Sequence, residues 1–312
     1  MKEGFIEVNS VPTHVFSWGQ WVTDEWNADT EEIVVVVTGN PGLGGYYTAF
    51  CSTLFDELDH KIPIWCVGHA GHDEPKKELG LRVPPLKSNE DLYNVQGQVK
   101  HKAEFIKNHV PANVKIHLIS HSIGSKISLQ LLNDDEISGK VHQGYLLFPT
   151  IERMMTSPNG FWFCFFDRWF HFLIQLFYYA FSYLPLIVRT FLLYAVCWLS
   201  DYPKFFLGTV IKTLSPTALD KIWFMSKDEM NTVCDIDKDI IKQNLHRLKF
   251  YYGTTDGWVP VDYYKGLIKA FPGVDAELCI EKIDHGFVVS HGPRMARMVS
   301  DWVKRKSVKK TL

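Results

Sequence analysis

The 312-residue sequence has few cysteines and no pattern among them. Cys51, Cys66, Cys164, Cys197, Cys234 and Cys279 are dispersed, with no C-x-x-C pair and no Cys–His set spaced for zinc. That excludes a disulfide framework and a zinc-ribbon scaffold and points to a reduced, cytosol-facing chain. No N-x-S/T acceptor occurs, and the start, MKEGFIEVNS, has no apolar h-region after its basic residue, so no secretory leader is expected. An excess of either charge is also missing: 33 Lys+Arg against 35 Asp+Glu leave −2. Phosphate recognition needs a basic surface, which excludes a nucleic-acid partner. Repeats and low-complexity linkers are absent. With 46% hydrophobic and 22% charged residues, disorder is excluded too.

What is present is alternation. Residues 33–37 form a β-branched apolar run, too short to span a bilayer, that ends in Thr38-Gly39-Asn40-Pro41-Gly42. Such a run reads as a central strand buried on both faces. Residues 62–68, 115–120 and 144–149 repeat this grammar, and helix-like stretches at 46–58, 91–110 and 124–132 lie between. Strands alternating with helices predict an α/β fold with a mostly parallel, doubly wound sheet. Residues 5–8 and 14–19 read as an antiparallel edge hairpin. Strand patterning returns at 247–252 and 276–280, and a last helix covers 293–308. The expectation is a single domain over 1–312, with an N-terminal core at 1–150, an insertion at 151–245 and a C-terminal core at 246–312. Lys304, Arg305, Lys306, Lys309 and Lys310 close the chain, read either as a solvated helix end or as a patch for anionic phospholipid.

Ser120-His121-Ser122-Ile123-Gly124 follows a strand and opens a helix, the context of a G-x-S-x-G nucleophile elbow with Ser120 in place of the first glycine. Small neighbours are needed there because strand and helix approach closely. A serine nucleophile needs a base, the base an orienting carboxylate, and the oxyanion two N–H donors. In this fold the partners follow in the order Ser, Asp/Glu, His, each after a late strand. Asp256, in Gly253-Thr254-Thr255-Asp256-Gly257, and His285, in Asp284-His285-Gly286, occupy those places. Asp284 competes as the acid and His291 as the base, while Asp262 reads as the cap of the next helix. Asn40 and Ile123 are the candidate oxyanion donors, since Pro41 has no N–H.

Gly42-Leu43-Gly44-Gly45 precedes Tyr46-Tyr47, without a third spaced glycine or a Lys-Ser/Thr pair, so dinucleotide and P-loop readings fail. His69 and His72 share a loop with no third ligand nearby, which favours a structural loop over a metal site. No metal or organic cofactor is required.

Together these stretches resemble the α/β-hydrolase superfamily and, within it, the lipid droplet-associated hydrolase family. The similarity runs through Gly39-Asn40-Pro41-Gly42, His69-Ala70-Gly71-His72, His121-Ser122-Ile123-Gly124, the run from Phe148 to Met154, Ser157-Pro158-Asn159-Gly160 and Tyr251-Tyr252-Gly253-Thr254. The resemblance implies Ser122 as nucleophile, Asp256 as acid and His285 as base. It also implies residence on lipid droplets and the cytosolic face of the endoplasmic reticulum, with a role in neutral-lipid or cholesterol-ester turnover. The family pattern has glycine where this chain has Ser120.

Aromatics, 14% of the chain, concentrate in residues 161–199, where this fold carries its lid. Phe161, Trp162, Phe166, Trp169, Phe177 and Trp198 belong to a segment with almost no polar face, whereas an amphipathic lid helix would show one. Pro185 divides it. A lid packed on the sheet and a dimer interface are two readings; membrane contact as a hairpin on a phospholipid monolayer is the favoured third, with Asp167, Arg168 and Arg189 near headgroups or paired internally. The functional expectation is a serine ester hydrolase acting on lipid esters at a droplet surface. Its rivals are a weakly active or inactive coating or tethering protein and an acyltransferase using the same residues.

Overall fold

In the computed structural model, which describes residues 1–199 and 203–307, the elements run as follows. An antiparallel hairpin, β1 (Lys2–Val8) and β2 (Val11–Trp18), precedes β3 (Glu32–Val37), α1 (Thr48–Glu57) and β4 (Ile64–Val67). Then come α2 (Glu90–Tyr93), α3 (Val95–His109), β5 (Lys115–His121), α4 (Ile123–Leu131), α5 (Asp135–Lys140) and β6 (Val141–Leu147). An all-helical stretch follows: α6 (Pro158–Ser182), α7 (Leu186–Leu199), α8 (Leu207–Thr213), α9 (Pro216–Thr232) and α10 (Lys238–Asn244). The chain closes with β7 (Leu248–Gly253), α11 (Val261–Ala270), β8 (Asp275–Cys279), α12 (Phe287–Ser290) and α13 (Gly292–Lys306). Lys309 and Lys310 of the basic tail lie outside the described residues.

The strands form one eight-stranded sheet in the order β1-β2-β4-β3-β5-β6-β7-β8. Pairing is antiparallel from β1 through β2 to β4 and parallel everywhere else. Central β3 shows why an unbroken apolar run is required. Side chains alternate across a strand, and here Ile33, Val35 and Val37 enter one core layer while Val34 and Val36 enter the other. A polar residue at any of these positions would be buried without water. Because β4 and β5 flank β3 on opposite sides, the connections after β3 and β5 diverge, and the crevice where α/β sheets place their sites opens at the carboxyl ends of these strands.

Two expected helices differ in detail. The stretch at 91–110 is broken into α2 and α3 at Asn94, whose extended backbone lets its Oδ1 accept the Gly97 N–H at 2.7 Å and cap α3. Asp262 does not cap α11: Pro260 is the cap residue, and Asp262 sits inside the first turn, paired with Lys265 at 3.1 Å. Its negative charge near the helix N-terminus still interacts favourably with the dipole.

The apolar segment becomes α6 and α7, broken around Pro185 and bent by 119°. Among the described residues no single helix is long and apolar enough to cross a membrane. Nor is the pair packed on the sheet as a whole: only Phe163 and Cys164, near the start of α6, reach the main core. In α6 only Gly160 and Tyr178 are buried, and in α7 only Cys197. Phe172 is 73% exposed and Phe177 76%, with Phe161, Trp162, Phe166, Trp169 and Trp198 exposed as well. One edge of α6 is clipped to α9. Asp167 accepts the Trp223 Nε1–H at 2.7 Å and pairs with Lys227 at 3.3 Å, the Tyr179 hydroxyl donates to Asp220, and Phe163 packs on Trp223. Asp167 is thus paired internally, and the Arg168 guanidinium lies over the Trp169 ring.

Candidate active site

The turn after β5 is strained at one residue. Ser122 has φ 52° and ψ −126°, a conformation that costs on the order of 1–3 kcal/mol for a residue with a Cβ and here lifts Oγ clear of the sheet. Two glycines make room for it. A Cβ at Gly124 would lie 2.5 Å from the Val37 carbonyl oxygen, and one at Gly39 would lie 2.8 Å from the Ser122 Cβ. Ser120 imposes no such clash: it is buried in β5, and its Oγ donates to the Tyr145 carbonyl of β6 at 3.3 Å.

Three side chains from distant loops converge at this rim. His285, in the loop after β8, places Nε2 2.8 Å from Ser122 Oγ and Nδ1 2.7 Å from Asp256 Oδ2. Asp256, in the loop after β7, is buried. Its Oδ1 accepts the Trp258 and Val259 N–H groups at 2.7 and 3.1 Å. Burial alone would raise this carboxyl, but the His285 hydrogen bond and charge and the two amides outweigh it and hold Asp256 below the ordinary carboxylate value. An ionised Asp256 keeps the proton on His285 Nδ1, which leaves Nε2 free to accept from Ser122. Asp284 instead accepts from Ser290 Oγ, and His291 contacts Ser290 at the start of α13.

The loop after β3 supplies backbone donors. Gly39 N–H is spent on the Tyr47 hydroxyl at 2.7 Å, whereas the Asn40 N–H meets no protein acceptor among the described residues. Ile123 opens α4, so its N–H is one of those a helix leaves unpaired. The Asn40 side chain is tied down: Nδ2 reaches Ser226 Oγ at 2.8 Å, Glu229 Oε1 at 2.9 Å and the Ile222 carbonyl at 3.3 Å, all on α9. Burial, helped by Asp228 and opposed by the Asn40 hydrogen bond, pushes Glu229 up to about 8, so near neutrality it is a protonated, uncharged partner.

A cavity of about 250 Å³ lies against His285, walled by the 39–42 loop, Tyr46, Tyr47, Val288 and Val289. His69 and His72 are buried beneath the loop, where His72 Nδ1 donates to the Pro41 carbonyl at 2.9 Å. Among the described residues no three His, Cys, Asp or Glu side chains come together to hold a metal ion. Sequence reading missed Tyr47 and Glu229. Tyr47 stands at the start of the helix-like 46–58 stretch, after glycines that fit no nucleotide motif, and Glu229 on a helix with no motif. A buried carboxyl opposite a loop asparagine leaves no local signature.

A family model described as lipid-droplet associated hydrolase matches residues 30–288. A lipid droplet-associated hydrolase of Drosophila melanogaster is 45% identical, over 98% of this chain and 99% of that protein. The Homo sapiens relative of that name is 33% identical, over 97% and 95%. Among solved structures, a meta-cleavage product hydrolase superposes with TM-score 0.61 at 14% identity, covering 97% of this chain and 98% of that one. A thermophilic esterase from Thermogutta terrifontis gives 0.61 at 12%, covering 98% and 99%. These likenesses establish the α/β-hydrolase fold, and the family match with its full-length relatives goes further. The chain belongs to the lipid-droplet associated hydrolase family.

Proposed function

We propose that this hydrolase is a serine esterase that cleaves neutral-lipid or sterol esters at the surface of lipid droplets, resident there and on the cytosolic face of the endoplasmic reticulum. The observation that carries the reading is the unbroken hydrogen-bond chain from Ser122 Oγ through both nitrogens of His285 to Asp256. His285 Nε2 takes the hydroxyl proton as Ser122 attacks the ester carbonyl. Asp256 stabilises the imidazolium, and the Asn40 and Ile123 N–H groups receive the negative charge on oxygen. His285 then gives its proton to the leaving alcohol, and a water molecule activated by the same imidazole releases the acid.

The cavity beside His285, about 250 Å³, falls below the roughly 300–1,000 Å³ of sites that engulf a small molecule. It accommodates part of an acyl chain while the remainder of a lipid stays in its own phase. The exposed α6–α7 hairpin fits that arrangement, because a contiguous aromatic surface of this kind is stable when covered by acyl chains. An alcohol in place of water would turn the same residues to acyl transfer. The hairpin also supports a second reading, a droplet coat or tether for which chemistry is secondary.

Fluorophosphonate labelling with product analysis on droplet lipids tests the proposal. Labelling abolished by Ser122→Ala, with loss of free acid release, is expected. An unlabelled wild type, or label surviving Ser122→Ala, overturns the esterase, and droplet phenotypes retained in Ser122→Ala favour the tether.

A further inference from the structure

The residue before the nucleophile is buried, and its proton is fixed by neighbours that have no choice. A backbone N–H can only donate and a carbonyl can only accept. Gly39 N–H donates to the Tyr47 hydroxyl oxygen at 2.7 Å. That oxygen lies 2.7 Å from His121 Nδ1, and His121 Nε2 lies 2.8 Å from the His285 carbonyl oxygen. The carbonyl end requires a hydrogen on His121 Nε2. At the other end, a bare Nδ1 accepts the Tyr47 O–H, and every group is satisfied. A protonated Nδ1 would confront the tyrosine oxygen with two donors and strand its hydroxyl hydrogen in a buried site, where an unmade hydrogen bond is costly. Burial, followed by the charge of His285, pushes His121 down to about 3 and keeps the imidazole neutral. The titratable groups facing the ring are Tyr47, His285 and Asp256.

The result is a one-way chain from Gly39 N–H through Tyr47 and His121 to the backbone of His285. It joins the loop after β3, the elbow after β5 and the loop after β8. Its upper end is one residue before the Asn40 amide, and its lower end is the base's own carbonyl. Edge contacts from Phe287 to His121 (4.9 Å) and from Phe148 to His285 (6.0 Å) hold the rings laterally. Gly39 has no side chain because a Cβ there would also meet His121 Nδ1 at 3.1 Å.

We propose that Tyr47 and His121 are positioning residues which set the His285 imidazole and the Asn40 amide against Ser122 by tying their backbones together. The inference rests on the serine-esterase reading above and adds two residues that touch no reacting atom. Misplacing a reacting group by a fraction of an ångström to an ångström lowers the chemical step without weakening binding.

Tyr47→Phe removes a single oxygen and tests this. With a soluble short-chain ester, kcat is expected to fall about 10–100-fold while KM stays within about twofold, and the fluorophosphonate labelling rate should fall in parallel. His121→Gln, which keeps a donor for the His285 carbonyl, should lose less than His121→Leu. ¹⁵N NMR of the wild-type protein should show His121 protonated at Nε2 and bare at Nδ1, a readout that needs neither substrate nor variant. Tyr47→Phe with unchanged kcat and labelling rate overturns the inference and leaves the esterase reading intact, and a hydrogen on His121 Nδ1 overturns the chain itself. A wild type that fluorophosphonate does not label removes the esterase reading and, with it, the role assigned to these two residues.

Discussion

The carboxyl rim of the sheet and the α6–α7 hairpin are finished to opposite standards. At the rim, Ser122, His285 and Asp256 are linked atom to atom, and both oxygens of the buried carboxylate are occupied. On the hairpin, large aromatic side chains face outward and touch mainly one another. Side-chain hydrogen bonds of the three residues close on one another inside one chain, while the Asn40 and Ile123 N–H groups stay open toward the cavity side. Apolar surface does not close in this way, and each large side chain left in water forgoes about 1.5–3 kcal/mol. In the function proposed for this chain, chemistry is specified within the molecule while the hairpin is completed by a lipid phase. Helix α9 is the piece they share: one face holds α6 through Asp167 and Trp223, and another holds Asn40 through Ser226 and Glu229.

The two regions are separable by mutation. Asp256→Asn keeps the shape of the rim but takes the charge from His285 and favours the wrong tautomer. We expect kcat to fall by about 10⁴-fold in an ester-hydrolysis assay, and a loss under tenfold would mean that Asp256 does not orient the base. At the hairpin, replacing Phe172 and Phe177 together by Glu should weaken binding to phospholipid-coated triacylglycerol droplets by about 10²–10⁴-fold, read by flotation. Ser122→Ala should float like wild type. Equal binding by the double variant would place the lipid contact elsewhere and return the exposed aromatics to a protein interface.

Much of this molecule was legible before any coordinates. The run at residues 33–37 reads as a strand covered on both sides, and a serine between strand and helix, an aspartate after β7 and a histidine after β8 stand in the order the fold requires. The hairpin was legible as composition, because residues 161–199 leave almost no polar face beyond the narrow edge of α6 that meets α9. The illegible part is what tertiary contact alone creates. The Asn40–Glu229 bond spans 189 positions, and the Tyr47–His121 bond spans 74. Asn94 could be read as a mid-helix residue until its extended backbone made it a cap, and Asp262 looked like a cap until the helix began one residue before it.

Glu229 gives a smaller effect with a definite sign. Its proton is held in the folded protein up to about 8, against an ordinary value near 4.5. Between those limits the folded state binds a proton that the unfolded chain has released, so the contribution to stability is complete at low pH and is lost as pH rises through 8. Glutamine keeps an acceptor for Asn40 and carries no such penalty. The melting temperature of Glu229→Gln relative to wild type should therefore rise from pH 5 to pH 9. A difference that stays constant with pH would mean that Glu229 is ionised in the folded protein.

Ser120 should matter least, and for a reason that bears on the whole rim. The family pattern has glycine there, yet the backbone strain of the turn falls on Ser122 and the close approaches fall on Gly39 and Gly124. Ser120 lies in β5 with its hydroxyl on the Tyr145 carbonyl, at a distance near the upper limit for such a bond. Ser120→Gly deletes that bond, worth about 0.5–1.5 kcal/mol, and places a flexible residue inside a strand at a further cost of about 0.5–1 kcal/mol. Urea unfolding should register a loss of roughly 1–2.5 kcal/mol, with kcat changed less than about threefold, since nothing that touches Ser122 Oγ or His285 has moved. A tenfold gain in kcat would mean that the serine acts as a brake, and that elbow geometry reaches two residues further upstream than the contacts around Ser122 require.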